Sequence, residues 1–345
     1  MTKQTPRPMV QPWATFIESE ESIIVKHAGR VVVFQGPGAK KVLPELISKL
    51  DGTSVKAEVL NSYPPEFQAA VGDAITRLER HNLLVDGDVL ASRSVPESTK
   101  RAAVALAEAL AGSLELREII DRLHATHIRL FSDLSNASEL EGMLRTSGFG
   151  QVDLEPLVAV RDIAPPLSEE TIVVLAPRRA TSPELDVMNE RALSAKCRWT
   201  HVLPYDGSFA SVGPLYLPGE TGCYKCFQLR RRSTLETLLE HQRLIDVNPE
   251  SVFDGPLSEW VSTGQEHVAW GILTRLLSME ALRFEWTPSP LAGHIHTIEW
   301  TYSSVEVSRH RLFRVPRCPS CGPLDLGVPQ PWFDEPNVSV DQGKS

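Results

Sequence analysis

The sequence predicts an α/β protein with two parts, an N-terminal winged-helix-like module followed by a larger, doubly wound α/β domain. Residues 13–88 read as three strands, three helices and a short last strand, the element order expected of a winged-helix-like module. Beyond residue 127, strands alternate with helices, and the continuous apolar run 171–175 is typical of a buried parallel strand. We therefore predict a first domain at 1–95, a second at 96–330 and a tail at 331–345.

The strands of the N-terminal module are predicted at 13–18, 22–27 and 30–35, with Ala28 and Gly29 forming a hairpin turn. The first helix after them ends at Gly52, a residue type that commonly terminates helices. The third helix begins at the two prolines before Glu66, and apolar residues recur along it at helical spacing: Phe67, Val71, Ile75 and Leu78.

The second domain is predicted from strand-like and helix-like apolar patterns that alternate along the chain. Strands are expected at 127–131, 152–154, 157–160, 171–175, 199–203, 295–302 and 305–309, and helices at 137–145, 183–197 and 265–283. The first five strands and their intervening helices follow the succession of a doubly wound sheet.

Composition excludes several classes of protein. The 345-residue chain has a formal net charge of −9, which argues against general binding to nucleic acid or to an anionic membrane. No run approaches the roughly 18 apolar residues of a membrane helix. Residues 1–11 are polar and proline-containing, without the apolar centre of a signal peptide. We expect a cytoplasmic protein.

Four of the five cysteines form two Cys-x-x-Cys pairs, Cys223 with Cys226 and Cys318 with Cys321. Two such turns can present four thiolates to one ion at tetrahedral geometry. Four thiolates leave no open coordination position, so the predicted ion is a structural zinc. The alternative is two redox pairs or free thiols, although neither pair lies in a thioredoxin-like context.

Three other features are weaker indications of a function. Cys197 lies where a helix passes into a strand, a position more typical of a core residue than of a nucleophile. His294 and His296 share one face of a predicted strand, but a third metal ligand is not visible. Arg230–Arg232 reads as a solvated helix start, with an anion site or contact with a separate enzyme as the alternatives.

The stretches 187–193, 199–205 and 211–226 resemble the ThiF-like branch of the ubiquitin-activating superfamily. In that family an Asn-containing helix, here with Asn189, leads into a strand, and a glycine-rich crossing ends in Pro-Gly and a Cys-x-x-Cys knuckle. A second knuckle near the C-terminus, here 317–322, closes the zinc site. The resemblance covers residues 120–322 and implies a doubly wound fold with a structural zinc.

The resemblance fails where the family binds ATP. The family has a glycine-rich loop directly after its first strand, because backbone N–H groups there approach phosphates. Here residues 132–137 contain no glycine, and the Arg and Lys that hold the triphosphate find no match. Asp153 is the candidate for the family's acid at the end of the next strand. We expect a degenerate ATP site without bound ATP or catalysis, in which Asn189 and Arg191 serve packing.

A degenerate ThiF-like domain behind a winged-helix module resembles the leader-peptide-binding partner proteins of thiazole/oxazole-modified peptide biosynthesis. In those systems a separate YcaO-type cyclodehydratase uses ATP to cyclise Cys, Ser or Thr of a ribosomally made precursor. The ThiF-like partner recruits the precursor leader through its N-terminal recognition element, which residues 13–88 resemble in order and size. The resemblance also implies a homodimer formed through the α/β domain.

The resemblance implies that the leader adds as a strand beside the third strand and the third helix. The third strand is expected at the edge of a small sheet, where unpaired backbone groups accept an extended peptide. Arg77 suits an acidic leader residue. An ordinary buried strand and a solvated helix face are the alternatives. The candidate peptide-binding residues are Arg30, Val31, Val32, Val33, Phe34, Ala74, Arg77, Leu78 and His81.

Two other functions remain open. One is an active ATP-dependent adenylating enzyme of the ThiF-like family, against which the missing glycine loop stands. The other is a winged-helix transcription regulator, which requires a basic recognition helix. Residues 65–81 instead mix Glu66, Asp73 and Glu79 with Arg77 and Arg80.

Overall fold

The computed structural model describes residues 7–322, apart from 28, 93, 111–112, 164–167, 169, 234–262 and 285–286. The predicted tail at 331–345 lies outside these residues. The chain divides into two units: Met1–His124 with Thr146–Gly148, and Ala125–Arg145 with Phe149–Ser345.

The first unit contains five strands, five complete helices and all but the last residue of a sixth helix. These are β1 (Pro8–Val10), β2 (Thr15–Glu18), β3 (Ser22–His27), β4 (Arg30–Gln35), α1 (Pro37–Lys49), α2 (Lys56–Asn61), α3 (Pro65–Arg80), β5 (Leu84–Asp86), α4 (Asp88–Ala91), α5 (Glu97–Ala109) and α6 (Leu116–Ala125). Strands β2, β3 and β4 form an antiparallel sheet in that order, so β4 lies at its edge. The predicted strands at 22–27 and 30–35 and their hairpin are confirmed.

The core of this unit follows the alternation of the hairpin. Ile23 and Val25 of β3 and Val32 and Phe34 of β4 are buried on one side of the sheet. They pack in one cluster with the apolar faces of α1 and α3, including Ile75. Three elements of this unit were not predicted from the sequence. They are strand β1, which pairs antiparallel with β5, and helices α4 and α6.

The second unit is built on one seven-stranded sheet in the order β12-β11-β10-β9-β8-β6-β7. Its elements are β6 (His127–Ser132), α7 (Ala137–Thr146), β7 (Gln151–Pro156), a 3-10 helix (Leu157–Asp162), β8 (Thr171–Ala176), α8 (Glu184–Ala195), β9 (Arg198–Leu203), β10 (Phe209–Val212), α9 (Tyr224–Arg232), α10 (Thr263–Ala281), β11 (His294–Trp300) and β12 (Val305–Arg311).

The sheet is mixed. Strands β7, β6, β8 and β9 run parallel, as the alternation of strands and helices predicts. Strands β10, β11 and β12 add to β9 by antiparallel pairing. All six residues of β8 are buried, which explains its unbroken apolar sequence. Among the helices of the described ranges, none combines the length and apolarity needed to cross a membrane.

One predicted strand is wrong. Residues 157–160 form the first part of a 3-10 helix instead of a strand. Pro156 ends β7 immediately before it, and Leu157 and Val160, three residues apart, are both buried. A spacing of three places side chains on one face of a 3-10 helix, whereas it would place them on opposite faces of a strand.

The first unit depends on a close approach of two glycines. Gly52 has a φ of +81°, and a Cβ at this position would lie 2.6 Å from Cα of Gly87. We expect Gly52→Ala to destabilise the protein by about 2 kcal/mol or more, because it adds left-handed strain to a backbone clash. Chemical denaturation measures this change.

The control is Gly38→Ala within α1, where an added Cβ meets no atom within 4 Å. Alanine is the better helix former, so this variant should be as stable as the wild type or slightly more stable. Equal stability of the two variants would contradict the proposed close approach.

Candidate functional site

The two Cys-x-x-Cys pairs meet in the second unit. The sulfur of Cys223 lies 3.9 Å from that of Cys226 and 3.6 Å from that of Cys318. The sulfurs of Cys226 and Cys321 are 3.6 Å apart, and all four lie within 4.8 Å of one another. Residues separated by more than ninety positions in the chain, as Cys223 and Cys318 are, therefore form one cluster.

The spacing of the sulfurs fits a metal ion. Four thiolates about 2.3 Å from a tetrahedral zinc lie roughly 3.8 Å from each other. Cys223, Cys226 and Cys318 are buried. Such a closed four-sulfur set could hold zinc and leaves no coordination position for a substrate, so the site could serve structure only.

Hydrogen bonds polarise the cluster towards thiolate at Cys226. Hydrogen bonding from the Cys223 thiol lowers the pKa of Cys226 to about 4, and the backbone N–H of Val315 contributes by donating to its sulfur over 3.3 Å. The same contact with Cys226 raises the pKa of Cys223. An N–H donor to a sulfur is a common way to stabilise a metal-bound thiolate.

The first knuckle is fixed from α8. Oδ1 of the buried Asn189 accepts a hydrogen bond of 2.9 Å from the backbone N–H of Tyr224. Tyr224 is the first residue of helix α9, and Cys226 is the third residue of the same helix. Asn189 thus does more than fill space, since it satisfies an amide at the helix start that has no partner within the helix. The sequence indicated Asn189 as a family residue but not this partner.

The second candidate feature is the outer edge of β4. The N–H of Gly36 donates to the carbonyl of Glu21 over 3.0 Å, so Gly36 faces β3. Along an antiparallel strand the backbone groups point alternately to either side. The N–H and C=O groups of Val31, Val33 and Gln35 therefore point away from β3. In the described part of the chain no strand pairs with this side.

Helix α3 runs beside this strand. The guanidinium of Arg77 lies 5.3 Å from the ring centroid of Phe34, and Nη1 of Arg30 approaches the carbonyl of His81 at 3.5 Å. The edge of β4 and the C-terminal half of α3 are therefore neighbours. Ala74 of α3 is partly buried and packs against the core cluster of this unit.

The candidate peptide-binding residues fall into two groups. Val32, Phe34 and Leu78 are buried in the core of the unit. Arg30, Val31, Arg77 and His81 are exposed, and Val33 and Ala74 are partly buried. Val31 is 55% exposed, which is high for a large apolar side chain within a strand.

An apolar row crosses the solvent face of the same sheet. Ile17, Ile24 and Val33 lie opposite one another on successive strands. Ile17 is 46% exposed, so the row is open to solvent at its β2 end. A strand added at β4 would continue this row on one face and meet α3 on the other.

The carboxyl ends of the parallel strands form the third feature. From β6 the chain continues to β7 on one side of the sheet and to β8 on the other, so a crevice opens between β6 and β8. In doubly wound sheets this crevice commonly binds ligands. Oγ of Ser132 donates to the carbonyl of Ala176 over 2.7 Å. Oδ1 of Asp133 accepts a 2.7 Å hydrogen bond from the backbone N–H of Arg178. The loop therefore directs a carboxylate, not a row of backbone N–H groups, across the crevice.

A second carboxylate lies near this crevice. Glu266 of α10 is buried and accepts a 2.9 Å hydrogen bond from Nδ2 of Asn136. It lines a small, open pocket with Leu134, Pro177, Tyr205 and Trp270. Carboxylates in this position disfavour a polyphosphate.

Asp153 does not take the position expected of an acid at the end of a strand. It is the third residue of β7 and lies 2.8 Å from Nε2 of His127 on the neighbouring strand. Strand β7 extends to Pro156, beyond the predicted boundary at 154, so Asp153 lies in the interior of the strand instead of at its carboxyl end.

The minor candidates are engaged elsewhere. Cys197 is buried, and burial raises the pKa of its thiol to about 11, which is unsuited to a nucleophile. The rings of His294 and His296 contact the backbone carbonyls of Ala292 and Pro290. Of the arginines at 230–232, Arg231 forms a 2.7 Å ion pair with Asp206.

The fold has solved counterparts at low sequence identity. A heterocyclase in complex with substrate and cofactor shares 19% identity at a TM-score of 0.58, over 92% of this chain and 40% of that one. The heterocyclase TruD shares 20% identity at a TM-score of 0.56, over 92% and 43%. MccB from E. coli, solved with AMPCPP and selenomethionine MccA, shares 14% identity at a TM-score of 0.54, over 91% and 99%.

These likenesses establish a shared fold. The chain spans less than half the length of the two heterocyclases and nearly the whole of MccB. No protein-family model and no curated protein matches the chain.

The cysteine cluster predicts about one zinc per chain, bound tightly enough to survive purification. Cys318→Ser should lose the metal and lower the free energy of unfolding, because the segment after β12 is then no longer joined to α9. Elemental analysis and thermal denaturation measure the two effects. The matched control is Cys197→Ala, which removes a buried thiol outside the cluster and should retain zinc. Zinc well below one per wild-type chain would contradict the assignment.

Proposed function

We propose that this chain is a non-catalytic, ThiF-like subunit that binds the leader of a ribosomally made precursor peptide and presents it to a separate YcaO-type cyclodehydratase. The N-terminal winged-helix-like unit is the recognition element, and the zinc-bearing α/β unit is the scaffold. The observation that carries this proposal is the free edge of β4 beside α3.

The edge of β4 suits an extended peptide. Val31 and Val33 direct their backbone N–H and C=O groups outward, and a peptide strand can pair with both. In this proposal, the buried Val32, Phe34 and Leu78 hold the strand and helix in place. The exposed Arg30, Arg77 and His81 then contact side chains of the peptide. Main-chain bonds provide affinity, and alternate side chains provide specificity.

Basic side chains beside the edge of β4 indicate which residues the leader should carry. Arg77 and Arg80 lie in the last turn of α3, and Arg30 reaches the same helix end. A carboxylate on the helix-facing side of the leader would form a charge-assisted hydrogen bond there. The other face of the leader would lie alongside Val33 and the apolar row, which favours an aliphatic side chain.

The crevice of the large sheet supports a non-catalytic role. A phosphate-binding loop requires free N–H groups and close backbone approach. Here Asp133 accepts a hydrogen bond from the N–H of Arg178, and the loop between β6 and α7 contains no glycine. The likeness to heterocyclases and to MccB supports a place in peptide modification, although those structures include proteins solved with a cofactor or AMPCPP.

Leader binding can be tested at the backbone of β4. Val33→Pro removes one outward N–H while leaving the hydrogen bonds to β3, and it should weaken binding of a fluorescent leader peptide at least tenfold. Fluorescence anisotropy with the full chain, using the leader of a precursor encoded beside this gene, measures the affinity. The control is Glu18→Pro on β2, whose N–H points outward from the opposite edge of the same sheet. Equal weakening by both variants would count against the β4 edge.

Charge recognition has its own pair of variants. Arg77→Glu should weaken leader binding about tenfold, because it replaces a favourable charge-assisted contact by repulsion. Arg101→Glu makes the same change of charge on α5, where the side chain is 76% exposed, and should leave the affinity unchanged. If the two variants behave alike, the contribution of Arg77 is only long-range charge.

The adenylating-enzyme alternative predicts a different result with ATP. We expect the full chain alone to show neither ATP hydrolysis nor pyrophosphate exchange, and leader binding to be independent of ATP. Coupled phosphate release and radiolabel exchange measure these activities. ATP consumption that Asp133→Ala abolishes would contradict the non-catalytic role and identify the protein as an adenylating enzyme.

A further inference from the structure

The outer strand of the large sheet, β12, is open to solvent along its whole length. It ends the order of the seven-stranded sheet, and all seven of its residues are exposed. Opposite residues of paired strands place their side chains on the same face of a sheet. Val307 lies opposite the buried Ile298 of β11, and yet Val307 is 52% exposed. The face of the sheet that is covered at β11 is therefore uncovered at β12.

Two hydrogen bonds determine which backbone groups of β12 point outward. The N–H of Thr301 donates to the carbonyl of Ser304, and the N–H of Leu312 donates to the carbonyl of Gly293. Ser304 and Leu312 bracket β12, and because the direction of the backbone groups alternates, the even-numbered residues between them face β11. The outward N–H and C=O groups belong to Val305, Val307, Arg309 and Arg311. Within the ranges that the structure describes, no strand pairs with this side of β12.

The side chains of these four residues form a row with two different halves. Alternate residues of a strand share one face, so the aliphatic Val305 and Val307 are followed on that face by the cationic Arg309 and Arg311. The guanidinium of Arg311 lies 4.9 Å from the ring centroid of the exposed Phe313, just beyond the strand. The row is apolar at the N-terminal end of β12 and basic at its C-terminal end.

Positive charge is concentrated at the C-terminal end of β12. Residues 307–322 include four arginines and His310 but no Asp or Glu, in a chain whose formal net charge is −9. In the part of the chain that the structure describes, neither Arg309 nor Arg311 forms an ion pair. The pKa of His294, which lies opposite Arg311 on β11, is lowered by burial and by the charges of Arg309 and Arg311. The basic half of the row is therefore a surface that attracts carboxylates.

We propose that β12 accepts an extended, acidic segment of the modifying enzyme as an additional strand, an inference that rests on the proposed function. Antiparallel pairing is the more stable arrangement. It places carboxylates of the segment opposite Arg311 and Arg309, and aliphatic side chains opposite Val307 and Val305. Read from its N-terminus, the segment has the pattern acidic-x-acidic-x-aliphatic-x-aliphatic, in which x is any residue. Main-chain hydrogen bonds provide affinity, and the alternate side chains provide specificity.

A second copy of β12 does not provide such a segment. Antiparallel pairing joins the outward-facing residues of both strands, and on β12 these are all odd-numbered. The one acid of the strand, Glu306, therefore never lies opposite Arg309 or Arg311. Their opposite residue would be a valine or another arginine. The precursor leader is assigned to β4, so the separate enzyme is the component of the proposed function that remains for β12.

The backbone test uses the full chain and the YcaO-type enzyme encoded beside this gene. Val307→Pro removes an outward N–H and leaves the hydrogen bonds between β11 and β12, since Val307 faces away from β11. Isothermal titration calorimetry should show that the dissociation constant of the complex rises about tenfold. An unchanged midpoint of thermal denaturation is the control that the variant remains folded.

The charge test leaves the backbone untouched. Its probes are two fluorescent peptides, Glu-Thr-Glu-Thr-Val-Thr-Val and Lys-Thr-Lys-Thr-Val-Thr-Val. The wild-type chain should bind the first peptide about tenfold more tightly than the second, and the double variant Arg309→Glu, Arg311→Glu should reverse this preference. Lys196→Glu makes the same change of charge at the exposed residue that ends α8 and should keep the wild-type preference. Equal binding of both peptides by the wild-type chain would overturn the inference.

The outcomes separate this inference from the proposed function. A complex with the enzyme that Val307→Pro does not weaken overturns the inference alone, whereas the absence of any complex between the two proteins contradicts the proposed function as well. The chain's own residues 323–345 contain four acids and are another source of carboxylates. If their removal speeds amide exchange at Val307 and leaves the affinity for the enzyme unchanged, β12 belongs to that segment and the inference is wrong.

Discussion

Backbone hydrogen bonding along strands determines where this molecule is closed and where it is open. Each N–H and C=O group that leaves water requires a partner, and strands in the interior of a sheet find theirs on both sides. Strand β8, buried throughout and paired on both sides, is the clearest case. At β4 and β12 half of these groups point outward, so the same requirement that builds the sheets also defines the surfaces that can accept another chain.

The two units divide the work in a way that follows from their chemistry. In the second unit, two carboxylates near the crevice of the large sheet already have hydrogen-bond partners within the chain. Asp133 binds the N–H of Arg178, and Glu266 binds Asn136. The cysteine cluster has the closed geometry of a structural metal site. In the first unit, by contrast, a small sheet leaves one edge free beside a helix that carries arginines. These contacts are the basis for proposing recognition at β4 without catalysis in the crevice.

Local sequence patterns predicted the elements whose burial follows a simple period. The hairpin of β3 and β4 was predicted to the residue, because its apolar positions alternate around a short turn. The cysteine cluster could be predicted because Cys-x-x-Cys spacing has a direct geometric meaning. The 3-10 helix after Pro156 was missed, since its apolar residues are also compatible with a strand over so short a run. The roles of Asp133 and Asn189 could not be predicted, because their partners lie 45 and 35 positions away in the chain.

The most direct test of peptide recognition follows individual amides of β4. Amide hydrogen exchange, read by NMR on the full chain with and without leader peptide, separates the outward groups from those already paired with β3. The account predicts that the amides of Val31 and Val33 exchange rapidly in the free protein and become protected when the leader binds. Val32, already bonded to β3, should be protected in both states. Leader binding that leaves Val31 and Val33 unprotected, or that protects the crevice of the large sheet instead, would contradict it.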